Sequence, residues 1–215
     1  LYKSLHHFLT RINIGLEQIR ILIRIGAFRF TGKTKQQLLW EAMLYLNERK
    51  SNQFSSSDHL FNSEPKEYPL PYLERNSLED AFEEMELLGF PLIDPFQLLE
   101  TKSRGDTTAG ELPKRNGSYV HIIGYLVTTK ETQTLTKKPM HFGTFYDCKG
   151  EAFDTVHFPN IALRYPFRGR GFYSIKGKVV EDFGIYAIEV NWMDKLPMLN
   201  PKTKGKIIAL PEIAS

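Results

Sequence analysis

The runs SYVHIIGYLVTT (118–129), MHFGTFYD (140–147), EAFDTVHF (151–158), GFYSIKGKVVE (171–181) and IYAIEVNW (185–192) are rich in Val, Ile, Tyr and Phe and are punctuated by turn residues. That pattern predicts five β-strands. D-C-K-G at 147–150 and E-D-F-G at 181–184 each end in glycine and read as hairpin turns. Between the third and fourth strands, Pro159–Phe167 reads as a short helical insertion.

Five strands with a helical insertion at that place match the order of an OB-fold, a small Greek-key barrel, over 118–196. Upstream, 101–117 holds three glycines and a proline and reads as a loop bounding the barrel. Residues 77–100 form an acidic helical segment, with Ser77 and Asp80 as a cap, Gly89 and Pro91 as the stop, and a short turn from Pro95 through Leu99. From 48 to 76 the composition shifts to Ser, Asn, Pro and Glu, with S-S-S at 55–57 and prolines at 65, 69 and 71, which predicts an extended linker. Residues 1–47 read as a small helical domain. Leu16, Ile19, Leu22, Ile23 and Gly26 share one stripe, Arg20 and Arg24 another face, and T-K-Q-Q at 34–37 offers a second helix its cap. The tail, 197–215, is basic. The class is therefore α+β: a small N-terminal helical domain, an extended linker and a C-terminal five-stranded OB-fold barrel.

The 215 residues carry a net charge of only +3, but Lys plus Arg outnumber Asp plus Glu nine to three over 1–50 and 17 to 11 over 101–215, and are outnumbered one to eight over 74–100. Two basic blocks around an acidic spacer are the pattern of polyanion contact at two places, although solvated lysines on any surface give the same count. The apolar stretch Ile19–Phe30 is broken by Arg20, Arg24 and Arg29, which excludes a membrane span. The single cysteine, Cys148, can form no internal disulfide and fits a reducing cytoplasm. The start at Leu1, without methionine or signal pattern, reads as a cut from a longer chain.

Gly124, Phe142, Asp147, Gly150, Val156, Phe158 and the run G-K-V at 177–179 together resemble the OB-folds of the tRNA-anticodon nucleic-acid-binding type. That group includes lysyl- and aspartyl-tRNA synthetases and the alpha subunit of bacterial DNA polymerase III. Two upstream runs separate its members. L-I-R-I-G-A-F at 22–28 with K-Q-Q-L-L-W-E-A at 35–42 resembles the end of the alpha subunit's helix-hairpin-helix region, and E-L-L-G-F-P-L at 86–92 resembles the segment before its OB-fold. The resemblance covers nearly the whole chain in register. It implies the non-catalytic C-terminal part of a DNA-directed DNA polymerase, a nucleotidyltransferase whose metal-holding aspartates lie in a palm domain that this chain does not contain. No catalytic residue, metal site or cofactor is therefore expected here; Asp80, Glu83, Glu84 and Glu86 read as a solvated helical run, and adjacent His6 and His7 point about 100° apart on a helix.

The implied partners are single-stranded DNA or primer-template, the sliding clamp and the clamp loader, with no membrane; the clamp-loader contact belongs to a further domain for which the tail leaves little room. On the barrel, Lys130, Lys137 and Lys138 flank the first loop as phosphate contacts, with His141, Phe145 and Tyr146 as stacking surfaces. In the helices, Arg20, Arg24, Lys33 and Lys35 are the phosphate candidates, beside a candidate hairpin I-N-I-G-L at 12–16 that has only Gly15. In the linker, Ser57, Asp58, His59, Leu60 and Phe61 resemble the short clamp-binding peptide, with Ser57 where the family favours glutamine. Two readings compete with this one: an OB-fold RNA- or tRNA-binding module, and a structural OB-fold whose grooves meet only protein.

Overall fold

The structure is a computed structural model that describes residues 1–53, 76–134 and 137–199 and, within these, the side chains of all but 48–53. The chain divides into two compact units, Leu1–Ile93 and Asp94–Ser215.

The first unit is helical, and its helix ends follow from local chemistry. Helix α1 (Leu5–Arg11) is capped by Ser4, whose hydroxyl accepts the His7 N–H at 3.1 Å. Helix α2 (Leu16–Arg24) ends where Gly26 adopts φ +72°, so that the Gly26 and Ala27 N–H groups reach the Ile23 and Leu22 carbonyls, each at 2.9 Å. That paired closure satisfies two carbonyls the helix would leave bare. Helix α3 (Lys35–Gln53) opens on the expected cap: Gln37 N–H donates to the Thr34 hydroxyl and Thr34 N–H to the Gln37 side chain. It runs six residues past the expected boundary at 47, because Glu48, Arg49, Lys50 and Gln53 are themselves good helix formers. Leu5, Leu9, Ile19, Ile23, Phe28, Leu38 and Ala42 form the core. Burial of each of the larger side chains contributes roughly 1.5 to 3 kcal/mol.

The acidic helix α4 (Ser77–Leu88) belongs to this unit and is not a solvated run. Its cap is Asn76 in place of Ser77: the Asn76 side chain accepts from the Leu78 and Glu79 N–H groups. Lys35 lies 3.3 Å from Asp80 and 3.5 Å from Glu84, and Arg24 lies 3.0 Å from Glu83 and 2.9 Å from Glu86. Glu84 is buried and also accepts the Leu92 N–H.

The second unit is the barrel, built from β1 (Tyr119–Gln133), β2 (Pro139–Tyr146), β3 (Ala152–His157), β4 (Phe172–Asp182) and β5 (Ile185–Leu196), with helix α5 (Pro159–Arg164) between β3 and β4. The strands close in the order β1-β2-β3-β5-β4, all antiparallel except β3 with β5. The long β1 serves two neighbours: residues 119–125 pair with β4, and from Tyr125 onward the strand pairs with β2, with an irregularity between Leu126 and Thr128. It extends to Gln133 and not 129, because Lys130–Gln133, although polar, pair with residues 139–142. Likewise β5 continues to Leu196 against Phe172. Alternate residues Val120, Ile122, Leu126, Phe145, Phe153, Tyr173, Ile175, Val179, Ile188 and Val190 fill the interior. At Gly124 a Cβ would lie 2.7 Å from Phe153 and 2.8 Å from Phe145, so glycine is what lets the two rings fill the centre.

Two features outside the strands shape the surface. Asp147 is buried at the β2–β3 turn, where it accepts N–H groups from Lys149, Glu151 and Ala109 and so ties the 3-10 segment Ala109–Arg115 to the barrel. The segment that begins at Asp94 lies on the outside of β1 and β4: Phe96 meets Phe172 edge-on at 4.9 Å, and Phe172 meets Tyr125 at 5.1 Å. That sector of the barrel wall is covered. Within the described residues of this unit, two sectors stay open, the second half of β1 with β2 and β3, and the first half of β1 with the middle of β4 and β5.

Candidate nucleic-acid interface

Cross-strand register places the outward side chains of the first open sector in rows. Thr128, Thr144 and Asp154 form one row, and Lys130, Phe142 and Val156 the next; Tyr146 stands opposite Tyr125 and Ala152. The Thr144 hydroxyl donates to Asp154 at 2.6 Å, holding that carboxylate beside the strand. Tyr146 is 44% exposed and Phe142, on the same outward side, is half-buried, so both are reached by solvent. Lys130, Lys137 and Lys138 are exposed along the rim, with Glu131 and Asp154 as the acids of the region. Lysine ammonium groups beside open aromatic faces are what a single-stranded polyanion with unpaired bases can use.

The expected residues separate on this geometry. Lys130, Lys137, Lys138 and Tyr146 lie at the surface as expected. Phe145 does not: it is fully buried, stacked on Phe153 at 5.4 Å in the barrel centre, and cannot receive a base. His141 shares its side of the strand, opposite the buried His157 and 6.2 Å from the Phe167 ring, so it lines the end of the barrel interior. The physical reason is the two-residue period of a strand, which gives 141, 143 and 145 one face and 142, 144 and 146 the other. Phe142 is the aromatic missed, and the alternation about buried Phe145 was the signal that would have found it.

A second missed residue stands on the β4–β5 hairpin. Phe183 and Gly184 both have positive φ, +49° and +81°, the geometry of a two-residue I′ turn. Asn or Gly is the usual occupant at Phe183, yet a phenylalanine is held there 97% exposed. A bulky residue in the left-handed region, projecting wholly into solvent, is a strained placement of the kind that collects at ligand sites. Ile185 beside it is 64% exposed. The signal in the sequence was F-G where a turn of this type favours N-G.

In the helical unit the four expected cations are engaged by acids. Arg20 pairs with Glu17, Lys33 with Glu41, and Arg24 and Lys35 with helix α4. The acidic helix thus engages Arg24 and Lys35, while Arg20 and Lys33 stay exposed beside their acids. The hairpin Ile12–Gly15 does join two helices, but its Gly15 N–H is taken by the Gln18 side chain and its Ile12 N–H by the Phe8 carbonyl. The peptide Ser57–Phe61 lies outside the described residues. Among the described residues no three His, Cys, Asp or Glu side chains gather as a metal site, and no helix is long and apolar enough to cross a membrane. Partial burial, with Asp147 beside it, pushes the Cys148 thiol above its ordinary pKa, which suppresses the reactive thiolate.

The closed barrel and its strand order define the OB-fold class. No family model and no curated relative matches the chain. Solved structures similar to it include the single-stranded DNA binding protein of Thermus aquaticus, at 13% identity over 40% of this chain and 43% of that one, with a TM-score of 0.34. The mitochondrial single-stranded DNA binding protein Rim1 of S. cerevisiae is 9% identical over 38% of this chain and 96% of its own, with a TM-score of 0.31. An OBody bound to hen egg-white lysozyme is 13% identical over 46% of this chain and 97% of its own, with a TM-score of 0.37.

Proposed function

We propose that the barrel binds single-stranded DNA across its first open sector, and that the chain is the non-catalytic C-terminal part of a replicative polymerase of the polymerase III alpha type. The observation that carries the first statement is the outward row of Lys130 and Phe142, flanked by exposed Tyr146 and by Lys137 and Lys138 at the rim. Phosphates meet the lysines, bases stack on Phe142 and Tyr146, and Phe183 offers a further ring from the β4–β5 hairpin. The polymerase reading is supported by the three sequence resemblances in register and by a helix-turn-helix pair at 5–24 where the family has its hairpin. On that reading the chain holds no metal or cofactor and transfers no nucleotide by itself, and Leu60 and Phe61 anchor a linker peptide in the sliding clamp.

The test is retention of labelled single-stranded DNA and RNA at two salt concentrations by the full chain and by K130A/K137A/K138A. Removing three phosphate contacts lowers the salt slope by about 2, at roughly 0.7 per contact on a single strand. Unchanged affinity and slope in the variant would remove this site; preference for RNA over DNA would replace the polymerase reading with that of an RNA-binding module.

A further inference from the structure

The second open sector carries its own groove, lined by Asp106, Tyr119, His121, Lys176, Gly177 and Asn191, with a volume of about 460 Å³. From Lys176 a chain of cation and ring contacts runs on beyond the lining. Arg164 lies over the Tyr165 ring at 5.4 Å, Tyr165 meets Trp192 edge-on at 6.4 Å, and the Lys176 ammonium sits 5.1 Å from the Trp192 ring. Two residues along β4, Lys178 stands opposite Tyr119, which is 70% exposed. Outward residues two apart on a strand are about 7 Å apart, so Lys176 and Lys178 form a line of charge along the groove. Two acids oppose them. Asp106 accepts the His121 N–H and lies 3.6 Å from Arg115, and Glu189 is the cross-strand neighbour of Lys178. Counting Arg115, Lys176 and Lys178 against Asp106 and Glu189, the groove and its border retain an excess of positive charge.

We infer that this groove is a second contact for the same single-stranded nucleic acid, reached by a strand that crosses the barrel from the first sector. The inference rests on the proposed function. The two sectors are joined by one band of outward residues, Lys130, Phe142, Val156, Glu189, Lys178 and Tyr119, each the register partner of the next. At about 4.8 Å per strand step, Lys130 and Lys178 lie about 19 Å apart along that band. A strand laid across the β-strands thus meets lysine and a ring at both ends. Single strands are the fitting occupant because the groove offers separate ring faces to unpaired bases, whereas a duplex presents stacked pairs that cannot use them.

The prediction concerns length. Binding of an oligothymidylate of about four nucleotides, at the lower end of the usual site size of one barrel and only about 14 Å long at roughly 3.4 Å per nucleotide, uses the first sector alone, and one of about twenty-four engages both. The experiment compares both lengths on the full chain, K176A/K178A and K130A/Y146A, by anisotropy and by tryptophan fluorescence. The chain has two tryptophans, Trp40 and Trp192. Quenching by the longer strand that survives W40F and vanishes in W192F reports the groove. K176A/K178A should weaken the longer strand about tenfold and lower its salt slope by about 1.4, with less than a twofold change for the shorter. An equal response to heparin, or quenching absent with the longer strand, overturns the inference. Loss of all binding in K130A/Y146A but not K176A/K178A, again without quenching, keeps the first sector and rejects the groove. The reverse pattern rejects the proposed function instead.

Discussion

Acidification should destabilise the barrel through His157, a side chain fully buried at the inner end of β3. Its Nε2 is 3.1 Å from the Thr155 hydroxyl, its ring packs 4.8 Å from Phe167, and its Nδ1 has no hydrogen-bond partner among the described residues. Burial, with a smaller push from His141, lowers its pKa from 6.5 to about 4. Above pH 6.5 the imidazole is neutral both folded and unfolded. Between 6.5 and 4 the unfolded chain takes up a proton that the folded chain refuses, so stability falls as pH falls and levels off below 4. At about 1.4 kcal/mol for each tenfold change in proton affinity, the separation corresponds to about 3 kcal/mol. Glu111 adds to the loss only at lower pH: backbone and side-chain hydrogen bonds from Thr108 and Thr107 hold its carboxyl below its ordinary value. The assay is urea unfolding of the full chain and of H157Q from pH 7.5 to 4, followed by near-ultraviolet signals of the barrel. The difference between the two chains isolates His157, and it should shrink by about 3 kcal/mol across that range. Parallel pH profiles would refute the reasoning.

Other substitutions have equally definite outcomes. Lys35→Met leaves Asp80 and Glu84 without their shared cation in a largely buried setting, which should cost the helical unit about 3 kcal/mol; calorimetry that shows no lowering of its transition would contradict the docking of α4. Phe183→Asn relieves the left-handed strain and should raise the barrel's melting temperature, while single-strand affinity falls about tenfold through the lost stacking surface. A gain in stability with affinity intact would remove Phe183 from the interface. If the proposed polymerase reading holds, Leu60→Ala with Phe61→Ala weakens binding to a sliding clamp at least tenfold with little change in thermal stability; the opposite pattern would make the pair a structural staple.

The barrel was legible because its information is local. The β-branched and aromatic runs, the turns D-C-K-G and E-D-F-G and the cap at Thr34 each specify their own geometry within a few residues. The polar end of β1 was not legible, because Lys130–Gln133 become strand only through pairing with residues 139–142. Nor was the docking of the acidic helix, since nothing near Asp80 or Glu84 announces that their partner is Lys35, some 45 residues away. Of the residues expected to meet DNA, Lys130, Lys137, Lys138 and Tyr146 are exposed, whereas Phe145 faces the core and its neighbour Phe142 the outside, as the two-residue period of a strand requires. The groove at Tyr119 and Lys176 could not be read at all, as it is assembled from β1, β4 and β5.

Photo-cross-linking of the full chain to a single-stranded oligothymidylate, with the modified residues located by mass spectrometry, tests the central claim most directly. Zero-length cross-links form where bases lie against side chains, so the method reports the bound face without mutation. The account predicts adducts on Phe142, Tyr146 and Phe183 that disappear as salt rises, and none on buried Phe145. Adducts confined to the helical unit, or none on the barrel at concentrations that saturate binding, would contradict it.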